Sequence, residues 1–529
     1  RLGAFLERVT RGSERRLLGA TVGTTGLAAG VVNNTPIVAV FIPMISDLAS
    51  RNGISPSKLL LPLSYAAMLG GTLTLIGTAT NVLASDLSRQ LLDHPLSMFE
   101  FTKLGALVFL AGAAYLLTVG RWLTPARVDP DADLTERFDL ENHLVRLVVR
   151  ESSPLVGSTL GEARETGFGA DEDLDVLLIE RDGDPARATA DRSLAAGDLL
   201  TVRTSLQVAN RLDEAYGLRH RHRDEVTAAD LTETPHRGTL VEAVVPSDSR
   251  FVGRGASALD DGFDTTVLAV RRGDEVFRTD LAAVDLRAGD TLLLQTTAGA
   301  IAYLADRDEV LVTREAEDPV DAEVTPDADA SPLSPRTPIA VAIVAGVVAT
   351  AALGVFPIVV AALAGVVAMV VTGCLSPADA YDAVSWNVIF LLAGVIPLGL
   401  AMRNTGGDAL LASVLVASTT VLPVVGVLAL VYLLTALLAN VITPVATVVL
   451  MIPVAVDTAT QVGATQLTFL LAVTFAASTA FMTPVGYQTN LMVYGPGGYR
   501  FTDYVRVGAP LQLLVTVVTT VGLVVFWGV

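Results

Sequence analysis

Asn33, Asn34, Thr35 and Pro36 stand in the middle of an apolar stretch that runs from Leu17 to Ile45. Carboxamides and hydroxyls are costly in a bilayer or a dry core unless they are partnered, so a cluster of them there calls for a purpose. Their oxygens, with nearby backbone carbonyls, suit a small hard cation such as Na⁺. Thr35 suits an N-cap and Pro36 the first helical position, so a half-helix is expected to start there. Its free N–H groups and positive dipole end would then face an anion. A second polar signature occurs twice: "GTATN" (Gly77–Asn81) and "GYQTN" (Gly486–Asn490) share G-x-x-T-N. Upstream, Pro43 and Pro453 each close an apolar run, 38 and 37 residues before Asn81 and Asn490. Downstream, "EFTKLGA" (100–106) echoes "DYVRVGA" (503–509).

The elements that must carry these residues are membrane helices. The 529-residue chain is 51% hydrophobic, with a mean hydropathy of +0.54. Continuous apolar runs lie near 102–120, 338–356, 359–375, 387–402, 466–492 and 505–529, with longer, interrupted ones at 17–48 and 420–456. Such runs match about 30 Å of hydrocarbon, and they lack the alternation of a β-barrel. The stretch 17–48 is too long for one crossing and short for two. Arg11, Arg15 and Arg16 precede it and Arg51 and Lys58 follow it, which puts both ends in the cytoplasm. It is read as a re-entrant hairpin whose tip is Asn33–Pro36. The next segment, 57–92, is expected to break at Gly77–Asn81. Three crossings between 338 and 402 would bring a second hairpin, with its tip in "LANVITPVATVVLMIP" (438–453), in from the opposite side. The expectation is a polytopic α-helical membrane protein with inverted repeats and two re-entrant hairpins, typical of a secondary transporter with its site where the breaks meet. No Ser-His-Asp or phosphate-loop constellation speaks for an enzyme, and no cofactor is expected beyond Na⁺ as coupling ion.

The charge is uneven. Residues 128–335 hold 44 acidic and 21 basic residues, out of 55 and 36 in the whole chain, whose net charge is −19. Nucleic acid is excluded as a partner by this sign. Only Lys58 and Lys103 are lysines, and an acidic surface almost without lysine looks like adaptation to a salt-rich cytoplasm. Cys374 stands alone, so no internal disulfide is possible. The acidic middle repeats itself. "SPLVGSTLGEA" (153–163) matches "SRFVGRGASAL" (249–259). "LDVLLIERDGD" (174–184) matches "TTVLAVRRGDE" (265–275), and "LAAGDLLTVRT" (194–204) matches "LRAGDTLLLQT" (286–296). Each copy reads strand, short helix, strand, turn, strand, an α+β (β-α-β-β) unit with Gly-Asp at the turn. The pair resembles two RCK C-terminal (TrkA-C) domains, small ligand-sensing and dimerising modules. "RHRHRDE" (219–225) is read as a solvated link between them and not as a metal site. The expected division is 1–125, first transporter repeat; 140–218 and 235–314, the TrkA-C-like domains; 315–337, an acidic Pro-rich linker; and 338–529, second transporter repeat.

Paired hairpins with Asn-Thr tips, each followed by a broken helix with G-x-x-x-N, resemble the divalent anion:sodium symporter family of citrate-transporter-like and sulfate-permease-like proteins. That resemblance implies Na⁺-driven, elevator-type movement of a small divalent anion, sulfate or a dicarboxylate, by a homodimer in the plasma membrane. The TrkA-C insert would lie in the cytoplasm and answer to a regulatory ligand. By position the resemblance assigns substrate contacts to Asn34, Thr35, Thr80, Thr443 and Thr489. It assigns cation contacts to Asn33, Asn34, Gly77, Asn81, Thr443, Gly486 and Asn490. The second tip departs from the pattern. Counting back from Pro453 it reads Thr443–Pro444–Val445, without Asn. Aligning Thr-Pro with Thr-Pro instead leaves Asn440 three residues before Thr443. The alternatives are an RCK-regulated potassium pathway, for which "TPVGYQT" (483–489) is the filter-like string, and an arsenite or organic-anion efflux carrier. The first repeat reaches its tip within 33 residues of Arg1, whereas the second takes 106 from Pro338 to Pro444, so the chain is expected to be N-terminally incomplete by about three crossings.

Overall fold

The computed structural model describes residues 12–529 apart from 131–133, 139, 141–142, 169–173, 205, 221–238, 248, 260–264, 274, 279–280, 308, 316–334, 357, 385, 387–388, 391–392, 395–396, 398–400 and 402–403. Most of the 315–337 linker, most of "RHRHRDE" and much of the run 387–402 therefore lie outside the described residues.

The chain opens with α1 (Glu14–Ala29), a tight turn at Gly30–Asn33, and α2 (Asn34–Arg51) running back along it. Helix α3 (Ser57–Gly71) ends in a non-helical stretch, and the chain resumes as α4 (Ala79–Leu92). Helix α5 (Thr102–Leu123) follows, with one π turn at Leu116–Gly120. Two sequence expectations are corrected here. The returning helix begins at Asn34 and not Pro36, because the Asn33 side chain caps it by accepting from the Thr35 N–H at 3.3 Å. Pro36 falls in the first turn, where a missing N–H costs nothing. The break covers Thr72–Thr78, so Asn81 sits in the first turn of the resumed helix. Pro43 ends an apolar run but not a helix, since α2 continues through it to Arg51.

Polar contacts gather several of these ends on one face. Glu14 at the start of α1 pairs with Arg121 at the end of α5 at 2.8 Å. Lys58 at the start of α3 donates to the Thr124 carbonyl at 2.5 Å, and the Ser55 hydroxyl donates to the Val128 carbonyl at 2.6 Å.

From there the chain enters two five-stranded antiparallel sheets. The first contains β1 (Leu144–Val149), β2 (Asp175–Arg181), β3 (Asp184–Arg187), β4 (Leu199–Arg203) and β5 (Leu218–His220), with α6 (Leu160–Glu165) and α7 (Leu206–Tyr216) beside them. The second contains β6 (Thr239–Val244), β7 (Thr265–Arg272), β8 (Glu275–Phe277), β9 (Thr291–Thr296) and β10 (Leu311–Glu315), with α8 (Ala298–Asp306). Their orders, β3-β2-β4-β1-β5 and β8-β7-β9-β6-β10, are the same. The likeness reaches single bonds. Arg181 grips Asp198 at 2.7 and 2.8 Å and Arg272 grips Asp290 at 2.8 and 2.6 Å, both aspartates being those of the Gly-Asp turns. The four-element reading was too short, because each unit adds a small hairpin strand, a second helix and a fifth strand. Leu134, Phe138, Leu177, Leu178, Leu240, Leu268 and Leu293 form an apolar layer between the sheets.

Beyond residue 335 come α9 (Thr337–Ala352), α10 (Ile358–Val371), α11 (Gly407–Ala417), α12 (Val424–Ala439), α13 (Pro444–Val462), α14 (Gln466–Ala477), α15 (Gln488–Tyr494) and α16 (Phe501–Trp527). Helices α12 and α13 form a second hairpin. Thr443 is the N-cap of α13, and Pro453, like Pro43, lies inside its helix. The first register therefore holds: Asn33 and Thr443 are equivalent caps, each ten residues before its proline. Among the described residues α5, α13 and α16 are long and apolar enough to cross a membrane.

The two helical parts share one core, in which Val22, Ile42, Leu63, Tyr65, Phe101, Val431, Ile452, Phe475 and Tyr504 are buried together. Backbones come close at matched glycines. A Cβ on Gly105 would overlap the Thr72 carbonyl at the first break, and one on Gly508 would overlap the Phe481 carbonyl at the second. Gly508→Ala is therefore expected to destabilise the protein by about 1–3 kcal/mol through forced separation of packed segments. Gly346→Ala, at an open position of α9, should be neutral or stabilising because alanine favours helix. Melting of the detergent-purified variants checks this, and equal curves would contradict it.

Candidate functional site

The site is built on two interruptions, Thr72–Thr78 between α3 and α4 and Ser478–Tyr487 between α14 and α15. Each interruption frees backbone carbonyls that an unbroken helix would satisfy, and inside a membrane they must find donors. The asparagine of each G-x-x-T-N supplies them. The Asn81 amide donates to the Gly71 and Thr74 carbonyls at 3.0 and 2.9 Å. The Asn490 amide donates to the Ala480 and Thr483 carbonyls at 2.9 and 3.0 Å. Each break is also tied to its own hairpin. Thr74 donates to the Gly30 carbonyl at 2.6 Å, and Thr483 donates to the Asn440 carbonyl at 2.7 Å. Gly77 and Gly486 are buried against the hairpin ends at Ala29 and Ala439, where there is no room for side chains.

Between the breaks runs a chain of neutral polar groups. Of the two orientations of the Asn34 carboxamide, one satisfies every neighbour. Its oxygen accepts from the Tyr487 hydroxyl at 3.0 Å, and its nitrogen donates to the Gly77 and Ala67 carbonyls at 3.1 Å each. Tyr487 is 3.1 Å from the Thr78 hydroxyl, Thr78 is 3.1 Å from Thr80, and Thr80 is 3.0 Å from Ser478. Across the same region Ser64 of α3 lies 2.8 Å from both the Thr489 hydroxyl and the Asn490 side-chain oxygen. All of these side chains are buried. At the rim, Thr35 donates to the exposed Gln488 at 3.2 Å. Hydroxyls, carboxamides and one phenol make up the chain; none of its members is a carboxylate, imidazole, guanidinium or amine.

Asn34, Thr80, Asn81, Thr489, Asn490, Gly77 and Gly486 are thus brought together, with Thr35 at the rim. Asn33 and Thr443 are exposed and cap their own helices, Thr443 accepting from the Ala446 N–H at 3.3 Å. The second carboxamide is Asn440, equivalent in place to Gly30. It accepts from the Met482 N–H at 2.7 Å and donates to the Ala436 carbonyl at 2.8 Å. The sequence reading missed Thr78, Tyr487 and Gln488, although all three sit at the variable positions of the G-x-x-T-N strings. Ser64 and Ser478 carry no signal, being single serines in apolar runs.

Interrupted apolar helices that meet around uncharged polar groups define a multi-pass membrane transporter. A family model described as "Citrate transporter" matches residues 1–473. The chain is 40% identical to "Uncharacterized transporter sll0640" of Synechocystis sp., over 97% of this chain and 82% of that protein. It is 28% identical to "Uncharacterized transporter YfbS" of Escherichia coli, over 98% and 86%. It is 30% identical to "Sodium/sulfate cotransporter 1" of Chlamydomonas reinhardtii, over 53% of this chain and 33% of that protein. The chain belongs to the citrate transporter family, as its resemblance to divalent anion:sodium symporters implied.

Asn490→Ala is expected to lower thermal stability by about 1–3 kcal/mol for each buried carbonyl it orphans. Thr443→Ala, the loss of an exposed cap, should cost about 1 kcal/mol. If the two variants melt alike in detergent, Asn490 does not hold the break together.

Proposed function

We propose that the chain is a Na⁺-coupled symporter of a small divalent anion, sulfate or a dicarboxylate. The observation that carries this reading is the meeting of the first hairpin tip (Asn34), the first break (Thr78) and the second break (Tyr487) in one buried, uncharged cluster. Helix starts at Asn34 and Ala79 lie beside it. Their N–H groups and dipole ends favour an anion, while carboxamide, hydroxyl and freed carbonyl oxygens favour Na⁺. The names of algal relatives, sodium/sulfate cotransporters, support the same pairing of solutes.

The matched bonds at the two breaks support a pair of repeats, and the placement of ends supports inversion. The start of α1 and the end of α5 share the face that leads into the sheets. Helix α16 rises about 40 Å over its length, and beside its far end, at Gly528, the Thr468 hydroxyl near the start of α14 donates at 2.7 Å. Hairpin α1–α2 thus opens toward the sheets and hairpin α12–α13 away from them, as two re-entrant hairpins in opposite senses. The sheets are TrkA-C-like regulatory modules on the cytosolic face, and movement is of the elevator kind.

In proteoliposomes, labelled sulfate and succinate are tested with and without an inward Na⁺ gradient. Na⁺-dependent uptake of one of them is expected, and Asn34→Ala should reduce it about ten- to a hundredfold, the worth of roughly 1.5–3 kcal/mol in a buried polar contact. Uptake indifferent to Na⁺, or undiminished in Asn34→Ala at equal protein, would overturn the assignment.

A further inference from the structure

The second sheet is not merely tethered to the helical part; it grips α15, the short helix that carries Thr489 and Asn490. At the start of α15 the Gln488 amide donates to the Ser247 hydroxyl of the loop after β6 at 3.3 Å. At its end, Arg271 of β7 donates to the Gly495 carbonyl at 3.0 Å, and Arg137 donates to the Pro496 carbonyl at 3.4 Å. Both guanidiniums are held by one carboxylate. Glu242 of β6 lies 2.8 Å from Arg137 and 3.0 Å from Arg271, and all three side chains are at least nine-tenths buried. Between these points Thr291 of β9 lies against Gly495, where a Cβ would clash with its hydroxyl, and Leu491 and Tyr494 abut Gly289 and Gly273. Strand β10 packs along α2, so the same sheet touches the first hairpin as well.

Two features make this docking reversible in character. A buried Arg–Glu–Arg triad gives geometric specificity with little net stability, because desolvation offsets most of the attraction. Burial pulls the Arg271 pKa down, Glu242 pushes it back up, and Arg137 adds to the lowering. Among the described residues three buried polar atoms of this interface have no hydrogen-bond partner: Nε of Arg137, Nε of Arg271 and Oγ1 of Thr291.

We propose that the second sheet is a clamp on α15, and that its release from α15 is the step through which the inserted sheets control transport. This rests on the transport reading above. Docked, the sheet fixes α15, and through Asn490 it fixes the second break. Released, it lets the break move with the substrate. A ligand binding the sheets differently in the two states would shift the balance between them.

The test uses a Cys374→Ser background and the pair Thr291→Cys/Gly495→Cys. A Cβ on Gly495 would lie 3.1 Å from the Thr291 Cβ, so a small shift brings the pair to the usual disulfide spacing of about 3.5–4.5 Å. Oxidation is expected to lower sulfate uptake in proteoliposomes by roughly tenfold or more, and reduction to restore it. Unchanged uptake by fully cross-linked protein would overturn the clamp. If the unmodified and reduced proteins both move neither sulfate nor succinate, the transport reading fails instead. Opening is then read directly from maleimide labelling of Thr291→Cys alone, in intact protein. Labelling faster than at Ala243→Cys, buried inside the same sheet's core, supports release; equal protection at the two positions refutes it.

Discussion

Two carboxamides hold the helical half of this molecule in its functional shape. An interrupted helix inside a membrane leaves carbonyls without donors, and no water is at hand to replace them. Asn81 and Asn490 each bridge two such carbonyls, seven and ten residues upstream, with nearly the same distances. Asparagine suits this task because its amide offers two donors on a short, stiff side chain. A serine would supply one donor, and an aspartate none when ionised. Once each break is tied off, Thr78 of the first and Tyr487 of the second can meet between the two halves, and the hairpin tips can pack against the breaks. The polar chain from Asn34 to Ser478 exists because the breaks are stable without it.

The two halves are alike in their ties and unlike in their tips. Gly30 and Asn440, equivalent positions, both give their carbonyls to a threonine of the adjacent break. The first half spends its carboxamide at Asn34, facing the opposite break. The second places one at Asn440, facing its own. Consequently one tip reaches across to Tyr487 and the other reinforces its own half. In the proposed role this asymmetry weighs on coupling, since only the first tip offers a carboxamide to the shared cluster.

Much of this was legible in the sequence, for identifiable reasons. The G-x-x-T-N strings and the tip of the first hairpin stood out because polar residues in apolar runs need partners. The two inserted units were visible through their Gly-Asp turns, which the structure uses as salt-bridge anchors at Asp198 and Asp290. Helix starts were misplaced where local chemistry offered two caps: Thr35 followed by Pro36 looks like a cap, yet Asn33 gets there first. Tyr487 and Ser64 were illegible because their roles depend on which helices lie opposite, and one sequence holds no record of that. The grip of the second sheet on α15 was hidden for the same reason. Arg137, Glu242, Arg271 and Pro496 are separated by up to hundreds of residues, and each alone reads as an ordinary surface charge or turn.

A cluster without formal charge has a consequence for how a divalent anion could be held. An isolated arginine at that depth would bind an anion strongly but would itself need a counter-charge whenever the site stood empty. Amides and hydroxyls can partner one another, as in the chain from Thr80 to Asn34, and need no counter-ion. Such groups carry only partial charges, so most of the neutralisation of a dianion must come from elsewhere. In the proposed role co-bound cations would supply it most simply, entering and leaving with the anion. In that arrangement coupling to Na⁺ follows from electrostatics: without the cation, the dianion meets a site that can orient it but cannot replace its lost hydration.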